Sequence, residues 1–106
     1  MALIPTGYID QKKLADEVER AKQRLGPEVV RVRHSIGADN FGDPSINFRI
    51  VLTDAATKEE TLAEVTGEIA DILFDELRPY ENWGLKAYFS FRGQSEQAAR
   101  DDPAWA

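Results

Sequence analysis

Apolar and polar residues alternate one by one along three stretches of this chain, residues 29–36, 45–52 and 85–92. A period of two sends alternate side chains to opposite faces, which predicts three β-strands, each with one buried and one open face. In the first strand Val30, Val32, His34 and Ile36 point inward and Val29, Arg31, Arg33 and Ser35 outward. The second buries Ile46, Phe48, Ile50 and Leu52 and opens Asn47, Arg49 and Val51. The third buries Leu85, Ala87, Phe89 and Phe91 and opens Lys86, Tyr88, Ser90 and Arg92.

Two other stretches follow the helical period. Leu14, Val18, Ala21 and Leu25 make one stripe, behind an Asp10 N-cap with Ile9 and Leu14 placed as a hydrophobic staple. Gly26-Pro27 ends that helix. The second stripe is Leu62, Val65, Ile69, Ile72, Leu73 and Leu77, widened by Phe74. Thr57 to Glu60 reads as a capping box, and the helix is expected to run to about Arg78, before Pro79. Residues 37–44 are rich in turn formers and read as a hairpin loop, and 80–84 as a turn. Residues 1–9 form an apolar lead-in, and 94–106 a polar tail after a single domain spanning 1–93.

The order α-β-β-α-β predicts an α+β fold, a two-layer sandwich with two helices on one face of a three-stranded mixed sheet. Strands one and two form an antiparallel hairpin, and a right-handed crossover returns strand three parallel to strand two. The expected core is Leu14, Val18, Leu25, Val30, Val32, Ile46, Phe48, Ile50, Leu62, Val65, Ile69, Leu73, Leu77, Leu85, Phe89 and Phe91. This order resembles that of the BolA and type II KH domains. The chain has no Gly-x-x-Gly loop of the kind that clamps nucleic-acid backbone in KH domains. Its single histidine, His34, falls in strand one rather than near the second helix, so the resemblance is one of topology and carries over no residue or activity.

Charge changes the picture most. The open face collects Arg31, Arg33, Arg49, Lys86 and Arg92, with Asn47 and Tyr88 among them, and no acid. The whole chain has formal net charge -6, with 19 Asp and Glu against 13 Lys and Arg. Like charges opposed across a sheet destabilise it by up to ~1 kcal/mol per pair, so the segregation predicts an anion over the face. Against this stands a plain solvated surface, where Arg and Lys stems cover backbone and edge cations discourage aggregation. Two sources of acid from protein are at hand. One is the end of the chain, where Asp101 and Asp102 precede Trp105, an indole suited to stack on a guanidinium near Arg92, Tyr88 and Arg49. The other is a second subunit, giving a two-fold homodimer.

Bulk composition limits the alternatives. A length of 106 residues, 42% hydrophobic and 30% charged, describes one globular domain. With no cysteine there is no disulfide, thiolate zinc site or cysteine nucleophile, which suits a reducing cytoplasm. No apolar run approaches a bilayer span, and the first residues lack the pattern of a signal peptide. A sequence pI near 4.7 opposes binding to nucleic acid or membrane through net charge, though not through a local patch.

Other candidate chemistry reads as structural. His34 lacks an identifiable partner for acid-base or nucleophilic work and fits a half-buried histidine at the sheet edge. Asp39-Asn40-Phe41-Gly42-Asp43 lacks the spacing of a calcium loop and has the composition of a hairpin turn. Glu64, Glu68, Asp71 and Asp75 make an acidic ridge without the His of a di-metal site, and Gly7, Gly84 and Gly93 open no phosphate loop. Ser35, Ser45, Ser90 and Ser95 lie in no nucleophile elbow.

No catalytic, cofactor-binding or metal-binding residue is therefore assigned, and no cofactor is expected. The first functional reading is a cytoplasmic, non-enzymatic protein-protein interaction or accessory domain, homodimeric or part of a larger assembly. It acts through Arg31, Arg33, Asn47, Arg49, Lys86, Tyr88 and Arg92. The alternative is single-stranded nucleic acid binding by the same face, with Tyr88 as stacking ring. A small enzyme using His34 comes last.

Overall fold

The structure, a computed structural model, describes residues 9–106. The apolar lead-in lies outside them except for Ile9. Asp10 opens α1 (Gln11–Lys22), its carboxylate accepting from the Lys13 amide at 3.0 Å. That satisfies one of the amides a helix start leaves unpaired. Ile9 and Leu14, on either side of this cap, are both buried, and Val18 and Ala21 continue the stripe.

β1 (Val29–Ala38) and β2 (Pro44–Leu52) pair antiparallel as a hairpin. After a short 3-10 turn at Asp54–Thr57, α2 (Glu59–Leu77) crosses back over the sheet and α3 (Pro79–Trp83) reverses the chain. β3 (Lys86–Gly93) then runs parallel to β2. The sheet order is β1-β2-β3, so β1 and β3 are its edges. α1 and α2 pack side by side on the face that alternation makes apolar. Between them and the sheet lie Ile46, Phe48, Ile50, Leu52, Leu73, Leu77 and Leu85, all fully buried. Phe48 stacks on Phe89 at 5.3 Å between ring centroids, and Phe89 meets Phe74 edge-on at 5.3 Å. The α+β sandwich with a three-stranded mixed sheet is thus the observed architecture.

Several local features differ from the pattern. Val30, expected in the core, is 40% exposed. The β1–β2 register shifts between Val29 and Arg31, so Val30 is the extra residue of a bulge, and Val29 packs on the core instead. The capping box does not form. Thr57 closes the 3-10 turn by donating to the Asp54 carbonyl, and Lys58 takes the N-cap position without a side-chain bond. The expected turn at 80–84 is mostly α3, started by Pro79 at its first position. Leu25, Leu62, Val65, Phe89 and Phe91 pack on the core only partly buried. Residues 94–106, the polar tail of the sequence, are ordered. They form α4 (Gln94–Arg100) and a 3-10 turn at Pro103–Trp105, both lying on the sheet face opposite α1 and α2.

Candidate functional site

The open face carries the residues that alternation assigns to it, and the chain's own acid closes it from two ends. At the end where β3 finishes, the C-terminal segment lies across the sheet. Trp105 is 7% exposed and its ring sits 4.2 Å below the Arg92 guanidinium. Arg92 also pairs with Asp102 at 3.3 Å and donates to the Gln97 side-chain carbonyl at 3.0 Å. Gln97, itself buried, donates onward to the Asp102 carbonyl at 2.8 Å. From β1, Arg31 donates to the Trp105 carbonyl at 2.9 Å and Arg33 to the main-chain oxygen of Ala106 at 2.5 Å. Val51, an apolar residue on a basic face, becomes 1% exposed beneath this cover.

At the opposite end the β1–β2 loop folds over the start of β3. Asp39 uses one carboxylate oxygen to accept from the Phe41 and Asp43 amides, each at 2.9 Å, which shapes the loop. Its other oxygen accepts from the Tyr88 hydroxyl at 2.7 Å. Asp43 pairs with Lys86 at 2.5 Å. The electrostatic consequences follow. The Tyr88 bond, then the Asp43 amide, hold the Asp39 carboxyl below its ordinary value. The same bond to Asp39 raises the Tyr88 phenol, and the bond to Asp43 raises the Lys86 ammonium.

Between the two covers lies a window. Arg33 and Arg49 are direct cross-strand partners, flanked by the Ser35–Asn47 pair and by Ser90, which faces Arg49 from β3. Arg49 donates to the Ser35 hydroxyl at 2.9 Å. Among the described residues neither Arg33 nor Arg49 pairs with an Asp or Glu side chain.

The structure therefore brings together all seven candidate face residues but divides them. Arg31, Arg33 and Arg92 meet the C-terminal segment, Lys86 and Tyr88 meet the loop, and Asn47 and Arg49 stand between. Asp102 and Trp105 reach the face, whereas Asp101 serves as the left-handed cap of α4 and pairs with no cation among the described residues. The segment lies along Arg92, Arg31 and Arg33, not along Tyr88 and Arg49. Sequence reading missed Gln97 and the two loop aspartates. The signal for the latter was present, because a strand parallel to β2 must begin beside the β1–β2 loop.

The remaining candidates stand apart from this face. His34 is half-buried, and burial, then Lys22, lower its imidazole value against an opposing pull from Glu19. On the acidic ridge, among the described residues only Asp75 finds a cation, Arg24 at 2.7 Å, which also pairs with Glu76. Among the described residues no helix is long and apolar enough to cross a membrane. No family model, curated protein or solved structure matches this chain, so what the face does has to follow from its own chemistry.

Proposed function

We propose that this chain is a non-enzymatic protein-binding domain whose open sheet face takes an acidic group of a partner protein at the Arg33–Arg49 window. One observation carries the reading: two guanidiniums directly opposed on neighbouring strands, without an Asp or Glu side chain beside them among the described residues, in a chain of net charge -6. Their repulsion is relieved when a carboxylate binds between them, by charge-assisted and bidentate hydrogen bonds. Asn47, Ser35 and Ser90 add neutral donors around the same point. The docked C-terminal segment supports the reading, since it meets Arg92, Arg31 and Arg33 with Asp102, an indole ring and main-chain oxygens.

Nucleic acid fits less well. Tyr88, the ring that reading relies on, is tied to Asp39, and the window is bracketed by Asp39 and Asp43 on one side and Asp102 on the other. A long polyanion meets repulsion at both ends, while an isolated carboxylate fits between them.

The test is a low-salt anisotropy titration with a labelled Gly-Glu-Glu-Gly peptide and, separately, labelled mixed-sequence single-stranded DNA. The proposal expects weak peptide binding that is lost in Arg49→Glu and in high salt. Equal peptide binding by wild type and Arg49→Glu, or DNA binding tighter than peptide binding, would overturn it.

A further inference from the structure

The two edges of the sheet are treated differently. β1 carries a bulge and places Arg31 and Arg33 along its length, devices that discourage pairing with another chain. β3 carries neither. It pairs with β2 in unbroken register from Lys86 to Gly93 and contains no proline, and no described residue pairs with its outer edge. Above that edge, the flank of α2 turned away from α1 is also unpartnered among the described residues. Phe74 projects from it, 46% exposed, at the level of Phe89. Three turns earlier on the helix, Leu62 and Ala63 join Phe91 and Gly93 around an open cleft of about 830 Å3, with Glu59 at its rim.

We propose that a second copy of this chain occupies this edge, the two β3 strands pairing antiparallel about a two-fold axis at Ser90. In an antiparallel pair, directly opposed residues share a face of the sheet. A register centred on Ser90 sets Phe89 against Phe91 of the other copy on the helix side. On the open side it sets Tyr88 against Arg92, an aromatic-cation pair. Centring on Phe89 instead opposes Lys86 to Arg92, a like-charge pair. The same axis carries Phe74 of each copy toward the cleft beside Ala63 of the other, because α2 runs antiparallel to β3 and Phe74 and the cleft lie on either side of the Ser90 level.

Charge agrees with shape. Arg78, four residues beyond Phe74, and Glu59, at the rim, each lack an ion pair among the described residues. The two-fold brings one toward the other twice. Gly67, where the two helices approach, has open space around the position of a Cβ. The surface is thus self-complementary, as an isologous interface must be, and it leaves the Arg33–Arg49 window free.

The chain has no cysteine, so one introduced thiol reports the axis. Ser90→Cys is expected to cross-link to a dimer under mild oxidation, because it faces its own copy across the two-fold at about 4.5–5.5 Å between Cβ atoms, a small strand adjustment from the roughly 3.5–4.5 Å of a disulfide. Ala98→Cys, exposed on α4 and turned toward the β1 side of the sheet, serves as the control and is expected to stay single. Wild type should sediment at twice the chain mass. Glu59→Arg and Arg78→Glu should each weaken the dimer roughly three- to tenfold, and the combined variant should recover it. Circular dichroism verifies that each variant folds. A wild type that sediments as a monomer, or Ser90→Cys that cross-links no faster than Ala98→Cys, would overturn the proposal. Failure of the combined swap to recover either single change would do the same.

Discussion

Trp105→Ala isolates the cover that the C-terminal segment lays over the sheet. Burying a tryptophan removes about 150–250 Å2 from water, worth ~4–6 kcal/mol at about 25 cal/mol per Å2. Residual burial in the unfolded chain reduces that by roughly 10–40%. The Arg92 guanidinium over the ring contributes about 0.5–2 kcal/mol more. A ceiling applies, because once residues 101–106 lift from the sheet their remaining contacts are lost together and nothing further can be removed. The expected loss is on the order of 3 kcal/mol. Urea denaturation measures it through Trp83, the other of the two tryptophans, whose indole donates to Glu17 at 2.9 Å. Lifting of the segment also predicts a smaller m value, since the native state then buries less surface. A loss below about 1 kcal/mol with unchanged m refutes the reasoning, for it means the indole contributes little to holding the segment down.

Three further outcomes are expected. Phe48→Ala, at the fully buried centre of the aromatic stack, should cost about 3–5 kcal/mol in the same urea experiment; a loss below about 1 kcal/mol contradicts the phase of β2. Asp39 is held low, so its stabilisation is present above the unfolded carboxyl value, about 4, and is lost as pH falls through the lower folded value. Tyr88→Phe removes the main cause, and the Asp39 carboxyl followed by NMR should titrate at higher pH; an unchanged midpoint breaks the link between loop and strand. His34 is also held low, so its contribution is present above about pH 6.5 and is lost as pH falls through the folded value. Its imidazole should titrate below that range, and His34→Gln should flatten the fall in urea midpoint between about pH 7 and pH 5; an equal slope in both proteins argues against burial as the cause.

Patterning made the layers of this fold legible because each period matched one buried face. Leu14, Val18 and Ala21 marked α1, and Ile46, Phe48 and Ile50 marked β2. The crossover of α2 required β3 to run parallel to β2, and it does. What pattern could not reveal was decided by tertiary contact. A bulge carries no hydrophobic signature, so Val30 kept its phase on paper and lost it in the sheet. Thr57 reads as a cap, but the chain leaving β2 winds through a 3-10 turn that claims its hydroxyl. The candidate site was legible as a charged face and illegible as a divided one. Division depends on where a loop and a C-terminal segment land, and Asp39, Asp43 and Gln97 act on residues distant in sequence. α4 was missed because its seven residues show little apolar periodicity and gain their burial from Gln97 rather than from a stripe.

The central claim is that Arg33 and Arg49, opposed on neighbouring strands without an Asp or Glu side chain beside them among the described residues, are where this face accepts an acidic group. The most direct measurement follows the side-chain Nε–H resonances of the arginines by NMR while the Gly-Glu-Glu-Gly peptide is added. The account predicts that Arg49 and Arg33 shift together along one saturable curve, while Arg92, held by Trp105 and Asp102, and Arg24, held by Asp75 and Glu76, stay in place. Shifts at Arg92 or Arg24 equal to those at Arg49, or no shift at Arg49 at all, would contradict it.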